Sequence, residues 1–276
     1  MKQAILFSFF CGVFTLSTAQ NKTPEVKLSG FSHPESVYYD KAGENFYVSN
    51  MAGKEAGDGF ISKVSKNGKI LDHSWVTGLQ DPKGMVLRDG HLFVTDVTKL
   101  IEINIDSGEI INRIPVPDAK SLNDPALDDN GDIYFSDLSG NKIYRMNGSG
   151  EIEEWLSNVQ LERPNGLLIM PDYILVAAWS EEQNGNILKI DRETREIIRL
   201  TTQGVGNLDG IQKGAQHEFY LSDWATGRIF SFDMDGNLTK ILTSEKSSGD
   251  ILFMEAENKL YVPMNHQNEV WIYDLN

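Results

Sequence analysis

Apolar and polar positions alternate along this chain in short runs separated by turns, and the same succession comes round six times. Each round opens on a turn that carries a polar residue ahead of an apolar run. These turns are His33-Pro34-Glu35-Ser36, Asp81-Pro82-Lys83-Gly84, Ser121-Leu122-Asn123-Asp124, Arg163-Pro164-Asn165-Gly166, Asn207-Leu208-Asp209-Gly210 and Ser248-Gly249-Asp250-Ile251. A second run follows, aromatic and β-branched, as in Phe46-Tyr47-Val48-Ser49-Asn50 or Tyr134-Phe135-Ser136-Asp137, which is strand chemistry. A third run alternates strictly, as in Ile143-Tyr144-Arg145-Met146 and Ile229-Phe230-Ser231-Phe232. It ends at Asn67-Gly68, Asn147-Gly148 or Asp235-Gly236, residues that tolerate the positive φ of a tight hairpin. A fourth strand completes rounds one to five, and no helical period is convincing.

The polar residues Glu35, Lys83, Asn123, Asn165, Asp209 and Asp250 stand 48, 40, 42, 44 and 41 residues apart. A period of roughly 40–45 residues marks four-stranded propeller blades. The chain is therefore expected to be an all-β, six-bladed β-propeller with four antiparallel strands per blade. In that fold equivalent residues face one axis, so the six polar side chains should converge. The last round lacks its fourth strand. Glu25-Val26-Lys27-Leu28-Ser29, an orphan strand ahead of the first blade, is expected to supply it and remove two open sheet edges.

Residues 1–19 read as a secretory signal peptide: Lys2, an apolar run from Ala4 to Leu16, then the small residues Ser17-Thr18-Ala19. The run is too short to span a bilayer comfortably. The expectation is a secreted or periplasmic protein whose single propeller domain occupies 20–276, with no membrane insertion after cleavage. Cys11, the only cysteine, lies in the leader, which excludes disulfides, thiolate catalysis and cysteine–zinc sites from the mature domain. Removing the leader with Lys2 takes the formal net charge from −15 to −16. Such an acidic surface disfavours nucleic acid and anionic lipid. The partner expected is a small-molecule substrate, and a protein partner stays open.

At the axis, Glu35 and Asp209 offer two negative charges, and Asn123 and Asn165 two neutral oxygens. That set suits a hard divalent cation, Ca²⁺ first, with Mg²⁺, Mn²⁺ or Zn²⁺ as alternatives. Asn and Asp also build turns for local reasons, but six polar residues in register on inner strands weigh against that reading. Lys83 either pairs with Asp250 or Glu35, or contacts an anionic substrate. The ends of the second strands should ring the mouth with Asn50, Asp96, Asp137, Trp179, Asp223, Trp224, Asn265 and His266. Trp179 and Trp224 either wall the substrate site or pack between blades. His266 is a candidate base, although a lone histidine is more often a surface group. The glycine-rich loop 51–59 is a candidate lid. No Walker loop, dinucleotide fingerprint, zinc-protease helix or nucleophile elbow is present.

These residues resemble the calcium-dependent six-bladed propellers of the SMP-30/gluconolactonase (regucalcin-like) group, with diisopropylfluorophosphatase and paraoxonase as wider relatives. The carriers are Ser121-Leu122-Asn123-Asp124 followed by Asp128, Gly131 and Tyr134-Phe135-Ser136-Asp137, then Arg163-Pro164-Asn165-Gly166-Leu167 and Leu208-Asp209-Gly210. The resemblance implies that Glu35, Asn165 and Asp209 bind the metal and that Asn123 contacts metal or substrate. It implies hydrolysis of a small lactone or related ester, with Asp209, or else His266, activating water. Lys83, Ser121, Trp179 and Trp224 are the candidate substrate contacts. Lactonases of the group usually have a basic residue two positions before the Asn matching Asn123, where this chain has Ser121. They also often flank the Glu with glycine, where this chain reads His-Pro-Glu-Ser. The other reading is a noncatalytic propeller that binds a ligand or protein around a structural metal.

Overall fold

Runs of Val, Ile, Phe and Tyr no longer than a blade is tall, closed by Gly, Asn and Asp turns, leave the chain one way to bury its apolar side chains: sheet stacked on sheet. The computed structural model describes residues 22–53, 55–215 and 218–276; the signal-peptide reading of 1–19 lies outside them. Six four-stranded antiparallel sheets follow one another around an axis, and three 3₁₀ turns are the helical elements among the described residues. The inner strands are Pro34–Asp40, Pro82–Arg88, Leu122–Leu127, Pro164–Ile169, Leu208–Lys213 and Leu252–Met254. The core lies between blades rather than at the axis. Tyr134 and Ile143 of blade three pack with Leu167, Ile174 and Val176 of blade four. Each fully buried side chain of that size contributes about 1.5–3 kcal/mol.

The ring closes as expected. Val26–Ser29 pairs antiparallel with Glu269–Asp274, Val26 facing Ile272 and Leu28 facing Val270. Lys27 Nζ lies 3.7 Å from the centroid of the Trp271 ring, and Glu25 pairs with Lys259 at 2.7 Å. Beneath, Val37, Phe46 and Val48 of blade one share a core with Tyr261, Val270 and Ile272 of blade six. Hairpin chemistry departs from expectation once. Gly68 and Gly236 take φ +80° and +79°, but after Asn147 the left-handed glycine is Gly150 at +86°, not Gly148. The Asn147 side chain accepts the amides of Ser149 and Glu151, so the turn is the one closed between Asn147 and Glu151, of the same width as Ser65–Lys69 and Asp233–Asn237.

One irregularity recurs in every blade and positions the site. Pro34 faces Asn50 and Val37 faces Val48, so three residues of the inner strand span two of its neighbour. The same one-residue excess occurs at Pro82/Met85, Leu122/Pro125, Pro164/Leu167 and Leu208/Ile211. In blade six it lies between Ser248, which bridges Met264, and Leu252, which pairs with Tyr261. A bulge re-aims the side chains on either side of it. Here the residues in the bulge are Glu35-Ser36, Lys83-Gly84, Asn123-Asp124, Asn165-Gly166, Asp209-Gly210 and Gly249-Asp250.

Candidate metal centre

The first bulge residue of each blade faces the axis, which sets the ring as Glu35, Lys83, Asn123, Asn165, Asp209 and Gly249. Asp250 therefore does not hold the sixth axial position expected from the sequence. It stands one residue further on, in the row of Ser36 and Asp124. A Cβ at Gly249 would lie 2.4 Å from the Glu35 carbonyl, because blade six closes against blade one there through Asp250 N–H donating to that carbonyl at 2.9 Å. The second bulge residues tie neighbouring blades together. Asp124 accepts the Leu167 amide at 2.7 Å, and Asp250 accepts the Ser36 hydroxyl at 2.7 Å.

Opposite the bulge the second strands carry hydroxyls. Ser136 Oγ accepts the Asp124 amide at 3.0 Å and donates to the Asn165 carbonyl of the next blade at 2.7 Å. Ser222 does the same between Gly210 and Gly249, and Thr95 donates to the Asn123 carbonyl. The backbone at Asn123, Asn165 and Gly249 is thus held from the blade before it.

Glu35, Asn123, Asn165 and Asp209 are buried and line one cavity of about 270 Å³ together with Lys83, Ser121, Arg163, Trp179 and Trp224. Two oxygens of this set, Glu35 Oε2 and Asn165 Oδ1, are buried without a hydrogen-bond partner. An orphaned buried acceptor costs about 1–3 kcal/mol, so each is an unfilled demand for a positive group. Burial, with Asp209 and Asp250 nearby, raises the Glu35 carboxyl well above its ordinary range, and Lys83 pulls against it. Asp209 is pushed up to about 8 by burial and by Asp250, with Lys83 and the Asn165 amide opposing. Among the described residues no three His, Cys, Asp or Glu side chains cluster as ligands. The donor set is two carboxylates and two carboxamides, all oxygen, which fits Ca²⁺ far better than Zn²⁺.

Lys83 does not pair with Asp250 or Glu35. Its Nζ stands 3.8 Å from Asp81 and 3.3 Å from Met51 Sδ. Trp179 and Trp224 pack ring to ring at 5.4 Å beside the cavity. His266 is exposed and meets Trp224 edge-on at 5.1 Å, outside the residues that line the cavity. Of the second-strand ends expected at the mouth, Asn50, Asp96, Asp137 and Asp223 are buried braces. They accept the amides of Ser32, of Gln80 and Asp81, of Lys120 and Ser121, and of Asn207, the loops that lead into the inner strands. Asn265, by contrast, lines the cavity. In the loop 51–59, Asp58 binds the amides of Gly53 and Glu55, and Met51 reaches the cavity; Lys54 lies outside the described residues.

Arg163 also lines the cavity, and no role for it was apparent from sequence. The available signal was its offset: it precedes Asn165 by two, as Ser121 precedes Asn123.

A family profile described as the SMP-30/gluconolactonase/LRE-like region matches residues 33–263. Compared with curated proteins, the chain has no match. Among solved structures, a gluconolactonase of Xanthomonas campestris superposes with a TM-score of 0.69 at 16% identity, over 90% of this chain and 88% of that one. A structural-genomics target provisionally described as a gluconolactonase gives 0.67 at 19%, over 92% and 94%. A catalytically inactive virginiamycin B lyase of Staphylococcus aureus with quinupristin gives 0.64 at 16%, over 91% and 99%. At these identities the likeness is one of fold, shared by hydrolase and lyase alike.

Proposed function

The chain belongs to the SMP-30/gluconolactonase/LRE-like family, and from that premise we propose that it is a secreted or periplasmic metal-dependent hydrolase of a small lactone or related ester. Family membership and the gluconolactonases that share its fold support lactonase-type function in general. The observation that carries the metal assignment is the pair of orphaned acceptors, Glu35 Oε2 and Asn165 Oδ1, beside a buried Asp209. Glu35, Asn123, Asn165 and Asp209 would hold one divalent cation, Ca²⁺ by preference. When bound, such a cation supplies polarisation of an acyl carbonyl and offsets the charge that develops on its oxygen.

The side chains supply the rest. Trp179 and Trp224 wall the cavity, seat the substrate ring and keep bulk water away. Asn123 orients the substrate carbonyl through its amide. Asp209 takes a proton from the attacking water as the water oxygen bonds the acyl carbon, and returns it to the ring oxygen as the acyl C–O bond breaks, giving a hydroxy acid. His266, set outside the cavity, is the weaker candidate for that proton. The test is calorimetry with Ca²⁺ alongside lactone turnover after chelation and metal return. Glu35→Ala and Asp209→Ala should each weaken Ca²⁺ binding more than tenfold, since each removes a charge and a ligand. Undiminished affinity in both variants removes them from the metal. Wild-type protein that binds Ca²⁺ and hydrolyses no lactone or ester is a binding propeller.

A further inference from the structure

The cavity is asymmetric in charge in a way metal binding alone does not require. Its ionisable lining is two carboxylates, Glu35 and Asp209, and two cations, Lys83 and Arg163. With a divalent cation between the carboxylates, the lining carries a formal +2 inside a protein whose own net charge is −15. Lys83 already stands 3.8 Å from Asp81, so the cation left to meet a negative ligand group is the one whose carboxylate partner is exposed and exchangeable, Arg163.

Arg163 is the better placed of the two cations. It borders both the axial cavity and a wider polar groove of about 680 Å³ at the rim, which Glu181 also lines. Arg163 is therefore shared by the axial cavity and the groove that Glu181 lines. Of its five N–H donors, Nη1 reaches Glu181 at 2.6 Å, while Nε is buried without a partner. Glu181 is 78% exposed, so this pair is a rim contact worth little and easily exchanged. The backbone is held independently: Arg163 N–H donates to Asn141 Oδ1 at 2.7 Å, and its carbonyl accepts the Trp179 amide at 2.9 Å. The left-handed φ of +62° at Arg163 recurs as +50° at His33, also before a proline. The conformation belongs to the blade, and the side chain belongs to the site.

We propose that the substrate carries a carboxylate in addition to its lactone or ester, and that Arg163 binds it at the mouth with Ser121 beside it. This rests on the hydrolase reading above and narrows it. The planar fork of arginine matches a carboxylate in two parallel bonds, and Glu181 holds only Nη1 of it, until substrate displaces it. Water adds across the acyl C–O bond, so the product is a hydroxy-dicarboxylate.

Two measurements on the Ca²⁺-loaded protein test the proposal. Calorimetry compares glucarate with gluconate, and turnover compares glucarolactone with the neutral gluconolactone and with phosphogluconolactone. Glucarate should bind at least about tenfold more tightly than gluconate, and glucarolactone should have the highest kcat/KM. Arg163→Gln should remove the glucarate preference, a loss of about ten- to a hundredfold, and Arg163→Lys should restore part of it. Glu181→Gln should tighten glucarate binding by roughly two- to threefold, a gain that misfolding cannot imitate. Equal kcat/KM on all three lactones, unchanged in Arg163→Gln, overturns the proposal and leaves the hydrolase reading standing. Preference for the phosphorylated lactone overturns the carboxylate assignment. Glucarate binding that depends on Arg163, with no lactone turned over, supports the carboxylate site and removes the hydrolase reading.

Discussion

Replacing Asp209 by Asn should make the metal-free protein more stable while it destroys the metal site. Burial and the neighbouring Asp250 push the folded Asp209 carboxyl up to about 8, against an ordinary value of 3.8. Between those values the folded chain keeps a proton that the unfolded chain has released. The stability from that proton is complete below pH 3.8 and is lost as the pH rises through about 8. At roughly 1.4 kcal/mol per pH unit, wild type at pH 7 has lost roughly 4 kcal/mol, and at pH 5 roughly 1–2 kcal/mol. Asparagine keeps the shape of the neutral carboxyl and titrates nothing. The variant should therefore exceed wild type by those amounts, a Tm gain of roughly 8–16 °C at pH 7. Asp250, pushed up to about 7 by burial, gives a slope of the same sign in both proteins, and in the variant it no longer faces the Asp209 carboxylate that it repels in wild type. Urea or thermal melts in chelator at the two pH values measure the difference. Saturating Ca²⁺ should then stabilise wild type by about 2.7 kcal/mol at a hundredfold excess over Kd, with little effect on the variant. A variant no more stable than wild type at pH 7, or a gain that is the same at both pH values, refutes the reasoning.

Two further predictions concern the scaffold. Ser136→Ala strips partners from the Asp124 amide and the Asn165 carbonyl, two buried groups on different blades, and should cost about 2–4 kcal/mol in urea melts. A cost under about 0.5 kcal/mol would mean the hydroxyls do not couple the blades. Deleting residues 24–30 removes the pairing of Val26–Ser29 with Glu269–Asp274 and exposes a sheet edge. It should lower Tm by several degrees and promote association, and an unchanged Tm would show that the ring does not depend on that strand.

The architecture was legible because each blade repeats the same local demands. Strand length, period-two alternation and turn residues are all read one residue at a time, and closure could be inferred from a missing strand at one end and an orphan at the other. Register within the sixth blade was not legible. Ser248-Gly249-Asp250-Ile251 looks as if its acid should be axial, but the bulge is fixed by which backbone groups pair across the sheet, and it places Gly249 there instead. The pairing of Lys83 failed for a related reason. Charge balance along a ring does not say how far a lysine stem reaches, and Lys83 turns to Asp81.

The expected mouth exposes the more useful distinction. Asn50, Asp96, Asp137 and Asp223 recur at one offset because their four blades brace the loop that leads into the inner strand with that side chain, where blades four and six carry Ala178 and Met264. Ser49, Ser136 and Ser222 recur because the bulge presents an amide in their blades, and Thr95 holds the same place and donates to the next blade's Asn123 carbonyl. These demands of the fold are answered alike in four of the six blades. The axial row answers differently each time, with Glu35, Lys83, Asn123, Asn165, Asp209 and Gly249, because a ligand off-centre in the ring asks something different of each blade. The row two residues earlier is as mixed: His33, Asp81, Ser121, Arg163, Asn207 and Ser247. Variation between blades of one chain, rather than recurrence, therefore marks the face that meets a ligand. By that criterion Ser121 and Arg163 belong with the axial oxygens, and the four braces belong to the scaffold.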